Sequence, residues 1–330
     1  IISHIPIPLI SYGYISKKSL DMNNHTKKII TDFLKRKNIP ASVKKGAIPK
    51  TLKISYPIIT KPKISIIIPT KDSKSLLERC IRGIEEKTSY KNWEIIVVDN
   101  NSIKDETKNY LKSLKHKVIS FTENYNFSKI NNIASNYCSG DFLLFMNDDI
   151  SVLDDHPNWL NELVTLCSQP NVAIVGPKLL FSNNTIQSAG SVFLKTGAGF
   201  HPYMRKPSNY SGNFGLANVI REYSAVTASC MIIKKEIFNL IGKYDEDLDL
   251  YYGDSDLCLK SRKLGFQVLY TPFSVLLHEG SSTTTRESKS FFAVENHFWF
   301  MKKYPFLQNG DPYYNLNLDF DYRLPNTKDT

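Results

Sequence analysis

An α/β fold with a Rossmann-like, mostly parallel sheet and helices on both faces is predicted by three features of the 330-residue chain. Short apolar runs recur at 64–68, 94–98 and 141–146, too continuous for strands with one wet face. Between them, 76–84, 105–115 and 128–138 carry apolar residues at helical spacing. Each run ends in polar residues, as the ligand-binding edge of an open parallel sheet does.

In order along the chain, 21–37 predicts an amphipathic helix with Ile29, Ile30, Phe33 and Leu34 on one face, ended by Pro40. A polar stretch to Lys50 follows, and Pro57 and Pro62 place a boundary near residue 61. Ile64 to Ile68 is the first strand, stopped by Pro69. The helix after it has Leu76, Leu77, Cys80, Ile81 and Ile84 on one face, with Asp72, Ser73 or Ser75 as cap and Ser75–Glu78 as a capping box. A strand at 94–99, a helix at 105–115, a strand at 118–121, a helix at 128–138 and a strand at 141–146 continue the alternation. Later, Asp254 and Asp256 open a helix that Gly265 ends, and the runs 268–270 and 275–277 lead to His278.

Bulk properties exclude several functions. A 42% hydrophobic content is that of a folded chain. No run of eighteen apolar residues spans a membrane, and the opening IISHIPIPLI is no signal peptide. The first residue is not Met, which predicts a piece of a longer protein. Five cysteines without a CxxC pair read as reduced, buried thiols of a cytosolic protein, with neither disulfides nor structural zinc.

The net charge of +10 is local. Of 42 basic and 32 acidic residues, 1–63 holds 13 basic ones against Asp21 and Asp32, which leaves 29 and 30 in the remainder. Nucleic-acid binding is therefore not expected. The basic leading segment reads either as a solvated lysine-rich stretch or as a surface for an acidic partner or anionic lipid.

The run Phe142 to Met146 followed by Asn147-Asp148-Asp149 carries the chemistry. Two adjacent carboxylates at a buried strand end repel and lose hydration, and a divalent cation repays both costs. Thr70 and Asp99 end the neighbouring strands. Glycine is absent after the first strand, so neither a dinucleotide fingerprint nor a P-loop is present. A carboxylate-lined pocket holds a diphosphate only through a cation. Asp254 and Asp256 fit helix capping as well as catalysis, and His278 fits a structural role as well as metal binding.

The ordered set SIIIPTKD, EIIVVDNNS, NFSKINNIA, FLLFMNDDI, TASCMIIKKEIF, GDSDLCLKSRKLGF and LLHEGSS resembles family 2 glycosyltransferases of the GT-A fold, over about residues 63–300. GPKLLF, TIQSAG and DPYYNLNL resemble the rhamnosyltransferase-type members, often one module of a multi-domain polysaccharide-synthesis protein. The stretch ISHIPIPLISYGY is similar to the tail of a preceding module.

The resemblance implies four parts. Residues 1–60 are a leading linker or module tail, 61–215 the nucleotide-sugar half, 216–300 the acceptor-binding and catalytic half, and 301–330 a tail packing on the domain. It implies an inverting, metal-dependent transfer from a UDP- or dTDP-sugar, dTDP-rhamnose among the options, to a hydroxyl of a growing O-antigen or capsule glycan. Its partners are the donor, a free or lipid-linked glycan acceptor and other modules of the same chain. The expected location is the cytoplasm, against the inner membrane face through partners or the basic segment.

Carried over by position, Pro69, Thr70, Asp99, Asn126, Lys129, Asn132 and Asp148 contact nucleotide, with Asp99 accepting from the imide N–H of uracil or thymine. Asp99 also fits an Asx-type turn, and Asn126 a helix cap. Asp148, Asp149 and His278 bind Mn2+ or Mg2+, and Asp254 is the base, with Asp256 as fallback. Thr227, Ala228, Tyr252, Trp159 and Tyr223 face the acceptor, although core packing suits Trp159 and Tyr223 better. Two departures, Asn147 and Gly253, keep open a degenerate domain that binds nucleotide or glycan without turnover. A sugar-nucleotide pyrophosphorylase is disfavoured, since KDSKS is not the Gly-rich, Arg-containing loop that chemistry needs.

Overall fold

The structure, a computed structural model, describes residues 22–280 and 286–314. The leading ISHIPIPLISYGY, Ser281-Ser282 and residues 315–318 of DPYYNLNL lie outside the described residues. Helix α1 (Met22–Arg36) matches its expectation. The stretch read as polar linker is instead a hairpin, β1 (Ser42–Lys45) and β2 (Leu52–Ser55). Lys53 ties it to the main body through Glu162 at 2.5 Å and the Phe273 ring at 4.2 Å.

The alternation then runs as expected: β3 (Ile64–Thr70), α2 (Lys74–Lys87), β4 (Trp93–Asp99), α3 (Asp105–Ser113), β5 (Lys117–Ser120), α4 (Phe127–Ser135) and β6 (Phe142–Met146). Pro69 does not stop β3. It lies beyond the last residue paired with β6, so its missing N–H costs no ladder bond there. The Ser75–Glu78 box is not made. Ser73 is the N-cap, and its hydroxyl donates to Lys71 O instead.

The second half adds β7 (Ile150–Val152), α5 (Trp159–Cys167), β8 (Val172–Leu180), β9 (Ile186–Ser188), β10 (Val192–Phe193), β11 (Gly199–Phe200) and β12 (Arg221–Glu222). It closes with β13 (Cys230–Lys234), α6 (Lys235–Leu240), α7 (Gly253–Lys263), β14 (Gln267–His278) and α8 (Arg286–Lys303). The two runs expected before His278 form one strand, β14, with a register shift between Thr271 and Val275.

Among the described residues the main sheet has the order β12-β14-β8-β13-β6-β3-β4-β5, with β7 on β14 and β9 on β8. It is parallel through β6-β3-β4-β5 and between β8 and β14, while β13 runs antiparallel to β6 and β8. Both faces are buried, as continuous apolar strands require. In β3, Ile67 packs in one core cluster while Ile64, Ile66 and Ile68 pack in the other; Leu143 and Phe145 oppose Phe142, Leu144 and Met146 in β6. Each such buried side chain contributes roughly 1.5–3 kcal/mol relative to exposure. All five cysteines are free and buried. Among the described residues, no helix is long and apolar enough to cross a membrane. Residues 311–314 pack on the second half: Asp311 accepts from Phe193 N–H at 2.8 Å, and Tyr314 meets the Phe200 ring edge-on.

Candidate functional site

The parallel strands β3, β4 and β6 bring their carboxyl ends to one edge. Thr70 stands opposite Asp99 in register, and Asn147, Asp148 and Asp149 follow β6 directly. The loops after β3 and β4 are laced together by Asp72, whose Oδ1 accepts from Ile103 and Lys104 N–H at 2.8 Å each. Asp99 Oδ1 accepts from Ser102 N–H at 3.0 Å, so this residue does form the Asx-type turn.

Asp148 and Asp149 have different partners. Thr70 Oγ1 donates to Asp148 Oδ2 at 2.7 Å. Burial pushes the Asp148 carboxyl up to about 6, opposed by the Thr70 hydroxyl and reinforced by the Asp149 charge. Tyr125, pushed up to about 12 by burial, also feels the charges of Asp148 and Asp249. Asp149 is buried, and its Oδ1 lies 3.0 Å from His278 Nε2. Among the described residues, no three His, Cys, Asp or Glu side chains stand gathered as metal ligands. The expected trio of Asp148, Asp149 and His278 is therefore not preformed, because Asp148 is turned to Thr70.

The surroundings of His278 nevertheless fit a cation. Gln187 Nε2 donates to His278 O at 3.3 Å, which leaves Gln187 Oε1 as the acceptor facing Nδ1. Nδ1 therefore carries the proton. In a neutral imidazole, Nε2 then points a lone pair at Asp149 Oδ1, with Asn147 Nδ2 at 3.3 Å. A lone pair against a carboxylate calls for a proton or a metal ion between them, and a mixed imidazole–carboxylate set suits a divalent first-row metal ion. An orienting partner on the far ring nitrogen is typical of metal-bound histidine.

Asp254 sits in the first turn of α7. Its Oδ2 accepts from Ala228 N–H at 3.1 Å and its Oδ1 from Ser255 N–H at 2.7 Å. Tyr252, with a left-handed φ of 64°, turns the chain into this helix. Gly253 has a packing reason: a Cβ there would stand 2.9 Å from Ser128 Oγ, whose hydroxyl docks α4 on Leu248 O at 2.6 Å. Residues 225–229 join the two acidic centres, since Ser229 O accepts from Asn147 N–H at 3.0 Å while Ala228 holds Asp254.

Several expected site residues are used otherwise. Asp256 is fully buried, paired with Lys260 at 3.0 Å and Lys303 at 2.6 Å and accepting from Tyr304 Oη at 2.6 Å, so it cannot meet substrate as a fallback base. Trp159 is fully buried with its N–H on Thr88 Oγ1 at 3.0 Å, so no ring face is left for a sugar. Tyr223 is buried too. Gly190, at φ +91°, passes so close that a Cβ would lie 2.1 Å from the Tyr223 ring. Tyr252 stacks on Phe300 at 4.5 Å and bonds His297 Nδ1 through its hydroxyl, which commits the ring to packing.

Asn126 caps α4 by accepting from Lys129 N–H. Asn132 bridges Tyr244 and Glu246 from within the core, and the Lys129 amine pairs with Glu123 at 2.5 Å. Local packing accounts for all three. Thr227 keeps a half-buried hydroxyl 3.2 Å from Ser229 Oγ. Sequence reasoning passed over Gln187, whose partner His278 lies far along the chain, and His201, whose partners Ser188, Gly190 and Ser191 belong to a separate turn.

A family model described as glycosyl transferase family 2 matches residues 65–239. The chain is 34% identical over 296 residues to the O-antigen biosynthesis protein RfbC of Myxococcus xanthus, covering 88% of this chain and 23% of that protein. It is also 34% identical over 292 residues to the uncharacterized protein y4gI of Sinorhizobium fredii, covering 86% and 32%. The chain thus spans about a quarter to a third of the length of these relatives. A solved mannosyltransferase of Pyrobaculum calidifontis, in complex with GDP-Man and Mn2+, superposes with a TM-score of 0.54 at 14% identity, covering 85% of this chain and 73% of that one. That likeness shows the fold.

Proposed function

This chain belongs to glycosyl transferase family 2 and has the GT-A fold, and from that premise we propose an inverting, metal-dependent transfer of sugar from a nucleoside-diphosphate donor to a glycan hydroxyl. A UDP- or dTDP-sugar is the donor class, and a surface polysaccharide of O-antigen or capsule type is the product. RfbC, an O-antigen biosynthesis protein by name, supports the product class.

One observation carries the reading. Residues 225–229 hold Asp254 through Ala228 N–H and the Asn147 end of the carboxylate pair through Ser229 O, so a base and a cation grip face one loop. Asp149 Oδ1 and His278 Nε2 would hold the Mn2+ or Mg2+, with Asp148 joining from Thr70. When bound, the metal neutralises charge on the departing nucleoside diphosphate. Asp254 takes the proton of the acceptor hydroxyl as it attacks the anomeric carbon. Its Oδ2 and Oδ1 are both oriented by backbone N–H groups, which fixes the direction of that attack. A single displacement needs no protein nucleophile and inverts the anomeric centre. Thr70 and Asp99, adjacent in register at the strand ends, would line the nucleotide side.

The test is a panel of UDP-, dTDP- and GDP-sugars assayed for transfer with and without Mn2+, alongside thermal shift with the nucleotides. Metal-dependent stabilisation by one nucleotide and transfer with inverted anomeric configuration are expected. Stabilisation by none of them, or retained configuration, would sink the reading.

A further inference from the structure

His201, immediately after β11, is anchored unlike an ordinary loop histidine. Its Nδ1 lies 3.1 Å from Gly190 O, 3.1 Å from Ser188 Oγ and 2.9 Å from Ser191 Oγ. A carbonyl oxygen can only accept, so Nδ1 carries the ring proton and Nε2 presents a lone pair. None of the described residues hydrogen-bonds to Nε2.

The segment that holds this ring also holds the site. At one end, Gln187 orients His278. At the other, Ser191 pairs in both backbone directions with Ala225, at 2.9 and 3.1 Å, in the loop whose Ala228 holds Asp254. Residues 187–191 therefore span the gap between the cation grip and the base, with His201 fixed to their middle. We propose that His201 Nε2 accepts a hydrogen bond from a hydroxyl of the acceptor sugar and so positions the acceptor beside Asp254. This role rests on the glycosyl-transfer reading above. Burial holds the imidazole below its ordinary value, against the opposing pull of the Gly190 carbonyl and the Asp254 charge. A neutral imidazole is a good acceptor, and a sugar hydroxyl is the matching donor.

The experiment compares His201→Leu, which removes the acceptor atom, with His201→Gln, whose Oε1 reaches about as far as Nε2. Both are assayed with the best donor of the UDP- and dTDP-sugar panel, Mn2+ and aryl glycoside acceptors. The leucine variant is expected to raise acceptor KM by about tenfold, the value of one lost hydrogen bond. The glutamine variant should recover most of that loss, and the Mn2+–nucleotide thermal shift should persist in both. Unchanged acceptor KM in the leucine variant overturns the role while leaving the transferase reading intact. So does a glutamine variant as impaired as the leucine one, which is the mark of a purely structural histidine. A wild type inactive with every donor overturns the functional reading and this role with it.

Discussion

Asp149 Oδ1 and His278 Nε2 stand 3.0 Å apart, one just after β6 and the other at the end of β14, with Gln187 fixing the opposite ring nitrogen. The sheet thus delivers a carboxylate and an imidazole to one point from strands more than a hundred residues apart in the chain. Replacing Gln187 by Leu removes the orienting acceptor without touching either candidate ligand. Mn2+ affinity, titrated in the presence of UDP, is expected to fall about 10–100-fold, the usual cost of such a second partner. His278→Ala should lower it further. Equal Mn2+ binding in the wild type and both variants would place the metal elsewhere.

Asp254 is predicted to be the base. Asp254→Asn keeps the shape and can still meet one of the two backbone donors, but it cannot take a proton. Transfer should drop by about 10²–10⁴-fold. The melting temperature and the Mn2+–nucleotide thermal shift should stay near wild type. Turnover within a few-fold of wild type would remove Asp254 from the chemistry.

Asp256, two residues on, should behave in the opposite way. Residues two apart on a helix point to opposed faces, and here one faces the site loop while the other enters the core. Asp256→Asn leaves Lys260 and Lys303 without their buried partner. Both amines keep some contact with water, so a loss of about 2–4 kcal/mol is expected, toward the lower end for a broken buried pair. Chemical denaturation measures it. Normal stability with abolished transfer would reverse the assignments of the two aspartates.

The strand–helix alternation was legible because burial on both faces writes itself as unbroken apolar runs. The carboxylates of Asn147-Asp148-Asp149 were legible because an acidic strand end needs a partner. The hairpin at 42–55 was not. Its lysines read as solvated, and what holds Lys53 is Glu162 and Phe273, far along the chain. The single β14 read as two strands because its register shifts between Thr271 and Val275. His201 and Gln187 carry no local signal, since their meaning comes from contacts with Gly190, Ser191 and His278. Gly253 read as a lost carboxylate, whereas in the fold it is the space that Ser128 occupies.

Trp159 is predicted to matter for stability alone. Trp159→Phe removes the N–H that satisfies the buried Thr88 hydroxyl and leaves a small void in the core cluster that holds the ring. The expected cost is about 1–3 kcal/mol. Acceptor KM should not change, because the ring has no exposed face. A raised acceptor KM at unchanged stability would restore a sugar-stacking role.

Lys178 supplies a pH test independent of the site. Its amine is buried in β8 and donates to Ser208 O and Asn218 Oδ1 at 3.0 Å each, neither of them charged. Burial accordingly pushes its pKa down to about 8 from 10.5. Below pH 8 the lysine is protonated in both folded and unfolded chains, and the fold bears the cost of the buried charge. Between about 8 and 10.5 the folded chain has released the proton while the unfolded chain still holds it, so stability from this group rises with pH. A shift of this size corresponds to about 3 kcal/mol across the whole window. Lys178→Met abolishes the titration. The stability difference, wild type minus variant, should therefore move in favour of wild type as pH rises from 7 to 10, measured by denaturant unfolding at each pH. Working with the difference removes the opposing contribution of buried tyrosines such as Tyr223, whose hydroxyls are pushed up by burial. A difference that is flat with pH would mean that the amine reaches water, and its tie between β8 and the 208–218 segment would then be a surface contact.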